Sequence, residues 1–158
     1  MLLAAELLEN RTGHQVGQLL LERLYREATG ENLPEISVSP RGKPYFSNSP
    51  WHFSISHTRN YAFCCLSKHN VGLDAEEIGR PVSPELITRW LSPSEQARLG
   101  EDAADGFLRL WVLKEAEAKL RGCGLGNWMK STDFHPDDPR IQIIHGCYVA
   151  VLEESNVI

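Results

Sequence analysis

Between His14 and Thr29 the apolar residues Val16, Leu19, Leu20 and Leu24 recur at helical steps, and Gly30 followed by Pro34 closes the run. The period then changes. EISVSP (35–40) is a short strand candidate, and RGKPYF (41–46) reads as a turn punctuated by glycine and proline. WHFSIS (51–56), YAFCCLSK (61–68) and VGLDAE (71–76) are three extended segments joined by the short connections HTRN and HN, which predicts a small antiparallel meander. GRPVSP breaks the sheet. PELITRWLSPSEQARLG (84–100) then predicts a helix, a corner at Ser92 and Pro93, and a second helix start. There Glu95, three residues after Ser92, fits a capping box as well as a functional carboxylate. A long helix runs from about Gly106 to Arg121 and stops at GCG, and IQIIHGCYVAVLEE (141–154) offers two more strands around His145 and Gly146. The fold class is mixed α+β.

The long helix, with LWVLKEAEAKLRG at its centre, carries too many charges on its apolar side. At about 100° per residue, Phe107, Leu108, Leu110, Trp111 and Val112 spread over one broad arc, and Lys114, Glu115 and Lys119 project within it. Arg109 and Glu117 fall elsewhere, as solvent-side charges do. One explanation is a surface i,i+4 pair between Glu115 and Lys119 with snorkelling lysine stems. The other is a cleft that holds something requiring both signs of charge, such as a metal ion with a phosphate.

Composition narrows the classes. A chain of 158 residues is one domain by default and can bury a core without staples. No apolar run approaches the length of a membrane span. The opening MLLAAELLEN has no basic n-region and Glu6 interrupts it, so it is read as a cytoplasmic start rather than a signal peptide. Cys64, Cys65, Cys123 and Cys147 show no metal-site spacing and are expected to be reduced. The net charge of −5 argues against a general nucleic-acid binder, so any phosphate site must be local.

In VGLDAEE, Asp74 and Glu76 lie two apart on an expected strand, so both carboxylates leave the same face. Two acids this close repel unless a proton or cation sits between them, and their hard oxygens suit Mg²⁺. A solvated strand end is the plainer alternative. Ser56 and His57 end a strand in FSISHT, without the surroundings of a nucleophile elbow. RGKP puts Arg41 and Lys43 beside a glycine whose backbone can approach a ligand.

GKP, FSISH, VGLDAE and LWVLKEAEAKL, in this order and spacing, resemble the single-chain Sfp-type 4′-phosphopantetheinyl transferases rather than the short trimeric holo-acyl-carrier-protein synthases. The most specific elements are G-x-D-x-E and W-x-x-K-E-A-x-x-K, matched at Gly72, Asp74, Glu76, Trp111, Lys114, Glu115, Ala116 and Lys119. The resemblance implies two similar sheet-plus-helix halves related by a pseudo-twofold within one domain, 1–158. Residues 1–68 would form an abbreviated first half, and 69–158 a second half carrying the metal site. It implies transfer of the phosphopantetheine arm of coenzyme A to a serine of an apo acyl, polyketide or peptidyl carrier protein, with no nucleic-acid or membrane partner.

By the same resemblance Asp74, Glu76 and Glu115 hold Mg²⁺, with Mn²⁺ also accepted by such donors, and the ion bridges to the pyrophosphate. Glu115, directly or through a metal-bound water, accepts the serine proton, and Lys119 stabilises or protonates the departing 3′,5′-ADP. Ser56 and His57 bind phosphates of coenzyme A, Lys43 and its loop approach the adenine end, and Lys114 sits near the pyrophosphate. The chain departs from the pattern at its start. Only about a dozen residues precede the first helix, where the family has a strand and basic residues for the 3′-phosphate. Arg11 is the one candidate there, and a missing strand would leave an exposed edge favouring dimerisation. Two other readings use the same residues: a Mg²⁺-dependent phosphohydrolase, and a relative that binds coenzyme A or a carrier protein without turnover.

Overall fold

A computed structural model describes residues 1–154. The first half runs β1 (Leu2–Leu7), α1 (Gly13–Thr29), β2 (Ile36–Val38), β3 (Pro44–Phe46), β4 (His52–His57) and β5 (Tyr61–Ser67). The second runs β6 (Val71–Glu77), α2 (Pro84–Trp90), α3 (Pro93–Gln96), α4 (Ala103–Arg121), a 3₁₀ turn (Asn127–Ser131), β7 (Ile141–Ile144) and β8 (Cys147–Glu153). This is the α+β mixture that the hydrophobic pattern predicts. Among the described residues no helix is long and apolar enough to cross a membrane.

Two three-stranded antiparallel sheets, ordered β1-β5-β4 and β6-β8-β7, share one plan: the first strand of each half pairs with its last, and the last pairs with the one before it. β2 and β3 form a separate ribbon. Strand alternation sets the layers. On β5, Ala62, Cys64 and Leu66 pack with Val16, Leu20, Leu21 and Leu24 of α1, whereas Phe63 and Cys65 join Val71, Leu73, Ala75, Cys147 and Val149 in a core between the sheets. On β8, Tyr148, Ala150 and Leu152 face away from that core, toward Phe107, Leu110 and Trp111 of α4. Each sheet therefore carries a long helix on its outer face.

Two expectations are corrected. The meander stops at β5, because β1 and β4 already occupy both of its edges, and β6 starts the second sheet beside β8. The strand expected to be missing before α1 is present. Leu2–Leu7 pairs with β5 from Leu2↔Leu66 to Leu7↔Tyr61 and covers the edge thought to be exposed. Its residues pack on both sides, Leu2 and Ala4 toward α1 and Leu3 and Ala5 toward the inter-sheet core. The segment therefore reads as one apolar run instead of an alternation. A Thr12–Gln15 capping box starts α1, as Ser92 and Glu95 start α3.

Gly72 sets how closely α4 approaches β6. A Cβ there would lie 2.1 Å from the Ala116 carbonyl oxygen and 2.4 Å from the Leu120 nitrogen, so backbone would have to move. Gly72→Ala is expected to destabilise the protein by about 3 kcal/mol, as overpacking against backbone does. A urea titration checks this through a lower midpoint at unchanged slope.

Candidate active site

The strand period puts Gly72, Asp74 and Glu76 on the β6 face that looks toward α4, and one helical turn separates Glu115 from Lys119 on α4. Because Gly72 admits the helix so closely, the four charged groups converge. Carboxylate oxygens of Asp74, Glu76 and Glu115 lie within 4.8 Å of one another. They line a cleft of about 560 Å³ between the halves, together with Ser56, His57, Thr58, Arg59, Arg80 and Lys119.

Asp74 is 3% exposed and its two oxygens have different fates. Oδ1 accepts from Ser56 Oγ at 3.0 Å and from Lys119 Nζ at 3.3 Å. Oδ2 is buried with no hydrogen-bond partner. Burial, with the charges of Glu115 and Glu76 behind it, pushes the Asp74 carboxyl up to about 8 against the pull of Lys119 and Ser56. Glu115 is likewise raised, by burial and then by Glu76, and opposed by Lys119 and Arg80. Arg80 Nε donates to Glu76 Oε2 at 2.7 Å. A buried carboxylate with one oxygen lacking a hydrogen-bond partner, clustered with two more acids, is the arrangement that a divalent cation with oxygen ligands resolves. The donor set therefore fits the metal that the resemblance implies.

The other sequence-predicted residues divide. Lys119 is in the cleft and also donates to the Ile55 carbonyl at 3.2 Å, so it spans the halves. His57 lines the cleft at the end of β4, its ring packed so closely on the start of α1 that a Cβ at Gly13 would fall 2.3 Å from Cγ. Ser56 is 6% exposed and turned to Asp74. Lys43 lies outside the cleft. Its ammonium donates to Asn70 Oδ1 at 2.6 Å and to the Leu120 carbonyl at 3.0 Å, closing the C-terminus of α4. Its stem lines an adjoining, more apolar cavity of about 240 Å³ that shares Ile55 and Lys119 with the cleft.

Lys114 and Arg11 are corrections. The Lys114 side chain is fully buried against Glu95, 2.7 Å away, and also donates to the Met129 carbonyl and to Thr132. Burial lowers its pKa and Glu95 opposes that. It points away from the cleft because helical geometry turns it by about 100° from Glu115, which is enough to reach the loop after α4. Glu95 thus combines its capping role with a buried ion pair. Arg11 bonds the Leu7 and Leu8 carbonyls and pairs with Glu6, tying down the β1–α1 turn.

Sequence reasoning missed Arg59 and Arg80 in the cleft. Both sit in irregular connections where no period marks a side chain's direction, although the spacing of Arg80 from Glu76 matches a pair of opposite charges.

Without a metal, the raised carboxyl of Asp74 makes stability fall as pH rises. The folded state holds the proton more tightly than the unfolded chain, so this contribution is full below the ordinary value of 3.8 and is lost as pH passes about 8. Asp74→Asn removes the ionisation. In chelator its melting temperature is expected to exceed the wild type's at pH 8, by several degrees, with the gap closing toward pH 4, as measured by calorimetric scans across that range.

Residues 70–150 match the sequence model of the 4′-phosphopantetheinyl transferase superfamily. A 4′-phosphopantetheinyl transferase of Bacillus subtilis is 32% identical over 117 residues, covering 70% of this chain and 52% of that protein. The transferase Sfp of Bacillus subtilis (strain 168) is 33% identical over 94 residues, covering 56% and 42%. The transferase AcpT of Escherichia coli O157:H7 is 35% identical over 102 residues, covering 57% and 50%. The chain thus spans about half the length of the curated relatives it matches.

Proposed function

The chain belongs to the 4′-phosphopantetheinyl transferase superfamily, and from that membership we propose that it transfers the 4′-phosphopantetheine arm of coenzyme A to a serine of an apo acyl, polyketide or peptidyl carrier protein. The products are the holo carrier and 3′,5′-ADP. The observation that carries the reading is the cluster of Asp74, Glu76 and Glu115 with Lys119 beside it, inside the span matched to the family. The common strand order of the two sheets supports a pseudo-twofold between the halves, with the cleft at their junction.

In the reaction the serine oxygen forms a bond to the pyrophosphate phosphorus that carries pantetheine, and the bond from that phosphorus to the bridging oxygen breaks. Asp74, Glu76 and Glu115 would hold Mg²⁺ or Mn²⁺, which neutralises charge on the phosphate oxygens when bound. Glu115, whose proton affinity is raised by burial and by Glu76, accepts the serine proton. Lys119 compensates the charge that develops on the departing 3′,5′-ADP. His57 and Arg59, at the rim, meet the remaining phosphates, and the apolar cavity beside Lys43 takes the adenine end.

A second reading, a relative that binds coenzyme A or a carrier protein without turnover, draws on one observation. Lys43, Lys114 and Arg11 have their cationic ends engaged by protein oxygens, so these three charges are not free to meet phosphates.

Intact-mass spectrometry of apo carrier proteins incubated with this protein, coenzyme A and Mg²⁺ separates the two. Transfer predicts a gain of one phosphopantetheine arm that chelator abolishes. A panel that gains nothing, while coenzyme A or a carrier still binds, establishes the second reading. Asp74→Ala and Glu115→Ala are expected to abolish the gain with far-UV circular dichroism unchanged. Lys119→Ala should lower kcat on the order of 100-fold with a smaller change in coenzyme A affinity.

A further inference from the structure

We infer that Ser56 is a positioning residue of the metal site, not a phosphate ligand: its hydroxyl, delivered from the first half, orients the Asp74 carboxylate so that Oδ2 faces the cation. The inference rests on the metal-site reading above.

A serine hydroxyl has one proton. At Ser56, with Asp74 in the ionised form that holds a cation, that proton goes to Asp74 Oδ1 at 3.0 Å. What remains on Oγ is lone pairs, which can offer nothing to a phosphate that also only accepts. Ser56 is also nearly buried, whereas its neighbour His57 is exposed at the mouth of the cleft. The direction of the bond is imposed by the strand. Ser54 and Ser56 leave the same face of β4, and both reach β6: Ser54 Oγ accepts the Leu73 amide at 3.0 Å, one residue before Asp74.

With Ser56 and Lys119 both on Oδ1, the carboxylate has a single settled orientation and Oδ2 is the oxygen left over. If Ser56 is removed, only the lysine holds Oδ1, and that lysine shares its protons with the Ile55 carbonyl. Outer-shell partners of this kind typically change metal affinity by ~10- to 100-fold when lost.

Mn²⁺ binding to the full chain, followed by the electron paramagnetic resonance of the free ion, tests this without relying on turnover. Ser56→Ala is expected to raise the Mn²⁺ Kd about tenfold. Coenzyme A affinity measured in chelator should stay at the wild-type value, and Ser56→Thr, which keeps the hydroxyl, should recover most of the metal affinity. Ser54→Ala is the control for general loosening of the β4–β6 contact: it should lower the melting temperature yet keep the wild-type Kd. Two results overturn the inference: Ser56→Ala with wild-type Mn²⁺ affinity, or Ser54→Ala and Ser56→Ala weakening the metal equally. A loss of coenzyme A affinity in chelator, with Mn²⁺ binding intact, returns Ser56 to the role of phosphate ligand. Wild-type protein that binds no Mn²⁺ would refute the metal site itself.

Discussion

The central constraint in this protein is charge repulsion held in place by packing. Three carboxylates gather within 4.8 Å, and one of them, Asp74, is almost wholly out of water. Left to themselves such groups separate or take up protons. Neither strand nor helix can yield here, because β6 is paired along its length with β8 and α4 presses its backbone against Gly72. The raised affinity of Asp74 for a proton is the electrostatic trace of that confinement. Gathering and burying the acids costs stability locally, a cost common where function needs an unfavourable arrangement of charge.

The two halves meet at this point of tension. β4 lies beside β6 without a backbone ladder between them, and the bonds that cross come from side chains: Ser54 to the Leu73 amide, Ser56 to Asp74, and Lys119 back to the Ile55 carbonyl. A second set lies at the far end of α4, where Lys43 and Asn70 share the Leu120 carbonyl. Polar groups thus join the halves around the cleft, while an apolar core of Phe63, Cys65, Leu73 and Val149 joins the sheets behind it. The apolar part supplies adhesion and the polar part supplies register, since a hydrogen bond constrains direction where dispersion does not.

Most of the elements were legible in the sequence because their periods are local. The Val16–Leu24 spacing marked α1, glycine and proline marked the turns, and the shared face of Asp74 and Glu76 followed from alternation alone. Partnership was less legible. Nothing local distinguishes β6 continuing a meander from β6 opening a second sheet, since that depends on β1 already lying along β5. β1 itself was hidden by being apolar on both faces. The same limit applied to charged side chains. Glu115 and Lys119 could be set apart from Arg109 by helical angle, but whether Lys114 would turn into the cleft or toward Glu95 depended on a loop, 127–134, whose course the sequence does not disclose.

The register of the second sheet has a consequence for the order in which the molecule is assembled. Val71 opposes Glu153 and Asp74 opposes Ala150, so the strand carrying two of the acids finds its partner only beyond residues 78–146. The first sheet needs nothing beyond Ser67. As the chain leaves the ribosome, β1, α1, β4 and β5 can therefore close into a platform while β6 is still unpaired. β8 is the last strand to be made, so the second sheet can be completed only once the chain through Glu153 is available. The sheet that carries Asp74 and Glu76 is thus completed only after every residue of the first sheet and of α4 has been made.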